Sequence, residues 1–191
     1  PLRNTEVMRQ INQEQPFHPI YNYAVITDAE EGLILVNVDT FADGELRNNS
    51  LERALTWNPD GALNGAKHIT LAGHFAYITT ARGLAVVDLD DPLHPHLTAD
   101  IPLTGAKASA LQFRYLWVSD AEGIKQFDTT DMAHPVPVPS GSIALPSAER
   151  MYIARTYLYV AARDAGLVIY NVTRPGTPVE YQRYTAGGTL N

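Results

Sequence analysis

The chain contains no cysteine among its 191 residues. Disulfides, thiol nucleophiles, thiolate zinc sites and a covalently attached c-type haem are therefore excluded from it. The compartment stays open, because a secreted protein need not contain cysteine. Lysine is scarce: only Lys67, Lys107 and Lys125 occur, and no two are close in sequence. With a formal net charge of −7, the chain lacks the clustered Lys and Arg that phosphate binding needs, so no nucleic-acid partner is expected. No run of about 18 apolar residues occurs, so no transmembrane helix is expected. Residues 1–20 lack the apolar core of a signal peptide and read as a lead-in segment. The chain does not begin with Met and stops at "YTAGGTLN", which reads as a piece of something longer.

Helical periodicity is missing as well, and what stands in its place is a repeat. The segments "AVITDAEEGLILVNVDT" (24–40), "AYITTARGLAVVDLDDPLHP" (76–95), "LWVSDAEGIKQFDTTDMAHP" (116–135) and "LYVAARDAGLVIYNVTRPGTP" (158–178) align on Gly32, Gly83, Gly123 and Gly166. The glycines are 51, 40 and 43 residues apart, close to the length of one four-stranded propeller blade. In each unit a short β-branched and aromatic run meets a tight turn at the glycine, and a second run pairs back on the first. These second runs are mostly continuous in hydrophobicity, as expected for strands buried on both faces. Asp or Asn and then proline end three of them, since proline cannot donate to a ladder. A polar, proline-bearing edge strand ("HLTADIPL", "VPVPSGSIAL", "VEYQRYT") follows each proline loop, and a further strand ("AKHITLAG", "AKASALQF", "AERMYIAR") precedes each aromatic run. The 45% hydrophobic content suffices for a core of this kind. The expected fold is all-β: a β-propeller of about four blades with four antiparallel strands each, over residues 21–64, 65–104, 105–147 and 148–191. Four blades are few for a closed ring, so these are expected to be part of a larger propeller.

This grammar resembles the LVIVD repeat family of bacterial and archaeal proteins. "LYVAARDAGLVIYNVTRPGTPVEYQRY" and "YITTARGLAVVDLDDPLHPHLTADI" carry the likeness best. "GIKQFDTTDMAHP" departs from it at Lys125 and Gln126, and the first unit has "DTFADGELRNNSLERALTWNPDG" where the proline loop should be. The resemblance implies a propeller of a periplasmic, cell-surface or secreted protein, with other modules of the same polypeptide, some haem-bearing, attached. It implies a scaffold rather than a reaction.

Equivalent positions of successive blades share a level about the propeller axis. Lys67, Lys107 and Glu149 each stand ten residues before Tyr77, Trp117 and Tyr159, which makes them candidates for a charged ring at the channel mouth. Solvated charges and salt bridges of little energetic weight are the plain alternative. His94 and His96, with His134 in the matching loop of the next blade, are weak candidates for a metal site, because no carboxylate spacing completes them. The turn acids lack the oxygen spacing of a calcium loop, and Asp there is expected to bond its own backbone. No nucleophile elbow or phosphate cradle is present, and no cofactor is expected. Residues 41–64 are the most individual stretch, and Arg53 and Trp57 within it are the residue types of interface hot spots. Trp57 filling a gap against the first blade is the alternative. A non-catalytic scaffold for a protein partner is thus expected first. The second expectation is an enzyme or a haem-associated electron-transfer assembly with its site on the axis.

Overall fold

The computed structural model describes residues 18–41, 44, 46–185 and 187. Most of the expected lead-in segment therefore lies outside the described residues. The remainder forms four antiparallel sheets in chain order. The first holds β1 (Tyr23–Asp28), β2 (Gly32–Asn37) and β3 (Glu52–Trp57). The second holds β4 (His68–Ala72), β5 (Phe75–Thr79), β6 (Gly83–Asp88) and β7 (His96–Pro102). The third holds β8 (Ala108–Gln112), β9 (Tyr115–Ser119), β10 (Gly123–Asp128), β11 (Val136–Pro137) and β12 (Ile143–Ala144). The fourth holds β13 (Arg150–Ala154), β14 (Tyr157–Ala161), β15 (Leu167–Asn171) and β16 (Val179–Tyr184). Each sheet is a meander, and the expected hairpins occur in register: Ile78 opposite Ala85, Val118 opposite Lys125, Val160 opposite Val168.

Two features depart from the four-strand expectation. In the first sheet the position of an inner strand is held by a 3₁₀ turn, Pro19–Asn22, so three strands are present among the described residues. The stretch read as an insertion contains that sheet's outer strand, β3, which pairs with β2 through a bulge near Leu35. In the third sheet the outer strand is broken into β11 and β12 by the turn Pro139–Gly141. Both pieces still pair with β10. The cause is three prolines in five residues (Pro135, Pro137, Pro139), each without a ladder donor.

The turns repeat as the sequence does. After each second strand an Asp or Asn side chain accepts the N–H two residues on: Asn37 from Asp39, Asp88 from Asp90, Asp128 from Thr130 and Asn171 from Thr173, at 2.8–3.0 Å. In the hairpin turns Asp28 and Asp120 do the same work, and Thr80 substitutes for them with its hydroxyl. These acids bond backbone, as expected of turn aspartates.

The core lies between sheets. Leu33, Leu35, Val25 and Trp57 of the first sheet meet Ala76, Ile78, Ala85 and Val87 of the second. Tyr77, Leu84 and Val86 on the reverse of the second meet Leu116, Val118 and Phe127 of the third. Trp117, Ile124 and Ile143 meet Leu158, Val160, Val168 and Tyr170 of the fourth. Each blade thus sends alternate residues forward and backward, which is why its middle strands read as unbroken apolar runs. Full burial of one such Val, Leu or Ile contributes about 1.5–3 kcal/mol. The inner strands β4, β8 and β13 stand side by side, with β8 in the middle. No comparable contact joins the first and fourth sheets among the described residues, so the fan is open.

Candidate functional site

Lys67, Lys107 and Glu149 do share a level. Their N–H groups open the inner strands by donating to Thr79, Ser119 and Ala161 carbonyls, each at 2.9 Å. Lys107 Nζ reaches Glu149 Oε1 at 2.9 Å and also donates to the Pro146 and Ala148 carbonyls. Arg163 Nε donates to the same Glu149 oxygen at 2.6 Å, a partner that sequence spacing did not indicate. Burial alone would raise the Glu149 carboxyl pKa, but the hydrogen bonds and charges of Lys107 and Arg163 outweigh it and hold it low. Lys67 is exposed and makes no ion pair with this group among the described residues. The mouth is therefore a closed triad rather than a ring of three free charges.

Deeper along the inner strands, His68 Nδ1 accepts the Ser109 N–H at 3.2 Å and lies 3.2 Å from the Ser109 hydroxyl. Thr70 Oγ1 lies 2.8 Å from that hydroxyl. Burial, and then the charge of Arg150, lower the pKa of His68, so the ring is neutral in the fold. Ser109 is itself buried, and the charged group acting on the ring is a guanidinium instead of an orienting carboxylate. The cluster stitches β4 to β8; it lacks the third member of a nucleophilic triad.

The loop histidines serve their own loops. His94 Nδ1 pairs with Asp91 at 2.8 Å and His134 Nδ1 with Asp131 at 3.1 Å, while His96 is exposed at the start of β7. The structure instead gathers His18, His74 and Asp90, which are too far apart in sequence for spacing to reveal. His18 Nδ1 accepts the Ile20 N–H, so its Nε2 is the donor to Asp90 at 3.1 Å. The His18 and His74 rings stack at 5.6 Å with 14° between planes. The ligand atoms of the three residues all lie within 4.8 Å of one another. The group acts as a latch between the Pro19–Asn22 turn and the second sheet.

Arg53 pairs with Glu31 and contacts Thr56 at 3.3 Å on the outward face of the first sheet. Trp57 lies on β3 and packs against the core between the first two sheets. Its side chain stays partly exposed.

Four of the large apolar side chains left in water lie on the fourth sheet. Tyr152 is 69% exposed, Tyr181 63% and Val179 62%, with Tyr184 also exposed. Tyr157 rests against Tyr181 with ring centroids 5.2 Å apart. An open depression lined by Asn171, Arg174, Thr177 and Val179 continues the patch to the outer edge.

Four radially stacked meander sheets, the middle two buried on both faces by their neighbours, define a β-propeller. The LVIVD repeat family model matches residues 65–101 and 147–186. That family is associated with propeller-like folds. No curated protein matches the sequence. Among solved structures the chain is similar to the computationally designed Ika8 protein (10% identity, TM-score 0.61, 88% of this chain and 48% of that one). It is also similar to a chain of a nidogen/laminin complex (10%, 0.62, 91% and 64%). A third similar structure is PorZ, described as a bacterial surface component of the type-IX secretion system of Porphyromonas gingivalis (14%, 0.55, 86% and 21%). The chain thus spans less than two-thirds of each of these proteins, and likeness at this identity concerns the fold.

Proposed function

We propose that the chain is a non-catalytic binding module that engages a protein partner through the aromatic face of its fourth sheet. The carrying observation is that Tyr152, Val179, Tyr181 and Tyr184, three of them tyrosines, are all exposed on this one sheet. Tyrosine-rich apolar surface of this kind is characteristic of the centre of protein interfaces. The polar groups near the axis support the same reading from the other side. Lys107, Glu149 and Arg163 satisfy one another, and His68 and Ser109 are engaged within the scaffold. The alternative of an axial enzyme or electron-transfer site has less to rest on, because its charges are already neutralised. An extracytoplasmic setting fits this reading, as two similar structures are described as a bacterial surface component and an extracellular domain.

A photo-crosslinking side chain at position 152 or 181, in the full-length protein in its source, tests the proposal. Protein adducts should form there and be scarce from a control at exposed Leu93. Equal yields from all three positions would contradict it.

A further inference from the structure

With no cysteine in the chain, a transition-metal site in it has to be built from imidazole and carboxylate. One group of such side chains converges among the described residues. His18, His74 and Asp90 each offer one ligand atom within 4.8 Å of the other two. His18 caps the Pro19–Asn22 turn, His74 lies in the β4–β5 turn, and Asp90 follows β6. The Asp91–His94 and Asp131–His134 pairs offer two ligand atoms each, and no third joins them among the described residues.

The separations suit a small cation. His18 Nε2 and Asp90 Oδ1 are 3.1 Å apart, close to the roughly 3.3 Å expected of two ligand atoms on one tetrahedral zinc ion. His74 Nε2 stands 3.7 Å from Asp88 Oδ1, too far for a hydrogen bond. Asp88 accepts the Asp90 N–H at 2.8 Å, which steadies the loop that carries Asp90 and adds a second negative charge beside the group. The two histidines are partly exposed and Asp90 largely so, and water can reach the group to complete four-coordination. The rings lie stacked, so coordination turns the His74 ring about its Cβ–Cγ bond until its nitrogen faces the cation. At His18 the cation takes the place of the Nε2 proton. The neutral ring then carries its proton on Nδ1 and gives up the 3.2 Å bond from the Ile20 N–H.

We infer that His18, His74 and Asp90 bind a divalent transition-metal ion of the zinc class, with water as the fourth ligand. Two imidazoles and a carboxylate are a donor set that zinc accepts, whereas calcium and magnesium take oxygen ligands. The position of the site gives its role. The Pro19–Asn22 turn stands where the other sheets have an inner strand, and its buried residue, Ile20, reaches the core between the first two sheets. The ion ties this turn to the β4–β5 turn and to the loop after β6. It is a cross-link between two blades of a chain that can form no disulfide.

Isothermal titration of zinc chloride into the full-length protein after chelator treatment, alongside thermal melts, tests the inference. One equivalent of zinc is expected to bind at these residues and to raise the melting temperature. His74→Gln and Asp90→Asn should each weaken that equivalent at least about tenfold and abolish the rise, with unchanged circular dichroism. Asp90→Asn is the variant least able to disturb the fold, since its side chain is largely exposed. His134→Gln, in a pair outside the group, should leave both readouts in place. A titration in which neither His74→Gln nor Asp90→Asn removes an equivalent of zinc overturns the inference. So does an equal loss on His134→Gln, which would mean scattered surface histidines. A bound equivalent that leaves the melting temperature unchanged overturns the cross-linking role.

Discussion

Glu149 shows how little the residue types at an axis say without their partners. Sequence alignment placed it level with Lys67 and Lys107, and the level is right, but Arg163 arrives from the β14–β15 turn and closes the group. The ionised carboxylate is favoured in the fold, so its stabilising effect is present above the ordinary value of 4.5 and is lost as pH falls through the lower folded value. Because the pair is partly exposed, Lys107→Ala is expected to cost about 0.5–1 kcal/mol in urea denaturation. His68 behaves in the opposite sense. Its lowered pKa means that the unfolded chain takes up the proton first, so stability falls as pH drops from 6.5 toward the folded value. His68→Gln should flatten the melting temperature across that window, and an unchanged slope would show that another group titrates there. Tyr77, whose hydroxyl burial pushes up to about 12, tests the packing itself. Tyr77→Phe should cost about 1 kcal/mol for the bond to Met132, and Tyr77→Ala about 3–5 kcal/mol.

At the scale of elements, the hairpins were legible because their code is local: apolar runs, a turn glycine, then Asp or Asn. Gly83 and Gly123 show why the glycine is needed. Both adopt φ near +148°, and a Cβ on either would collide with the carbonyl of Ile101 or Ile143 on the outer strand. Gly123→Ala should therefore cost about 1–3 kcal/mol in strain before any displacement of β12. Gly73→Ala, in a turn with open space around it, should cost about 1 kcal/mol, since Phe113 and Arg155 hold positive φ at its equivalents. The outer strand of the first sheet was less legible, since no proline loop announces β3. Trp57 was consequently readable as a recognition residue, and its strand position packs it, partly buried, against the core. The Pro-rich stretch hid the opposite fact, that β11 and β12 are two pieces of one edge.

At the scale of the molecule, the repeat predicted that blades stack but not which faces remain uncovered. The aromatic patch had a signal in the alignment: Tyr152 stands where the other inner strands have Thr70 and Ala110. A bulky residue replacing small ones at an inner position marks a blade with different surroundings. The His18, His74 and Asp90 latch had no such signal, being made by the curvature of the fan. Exposed along its whole length, β16 is expected to exchange its amide hydrogens faster than β7, its equivalent in a covered blade.

The central claim is that recognition resides on the fourth-sheet face and not at the axis. Hydroxyl-radical footprinting of the protein in its native assembly, compared with the isolated chain, tests it most directly. Tyr152, Tyr181 and Tyr184 should be strongly protected in the assembly while Leu93 and Phe113 stay reactive. Tyrosines equally reactive in both states, with protection appearing at Lys67 and Arg150 instead, would contradict the account.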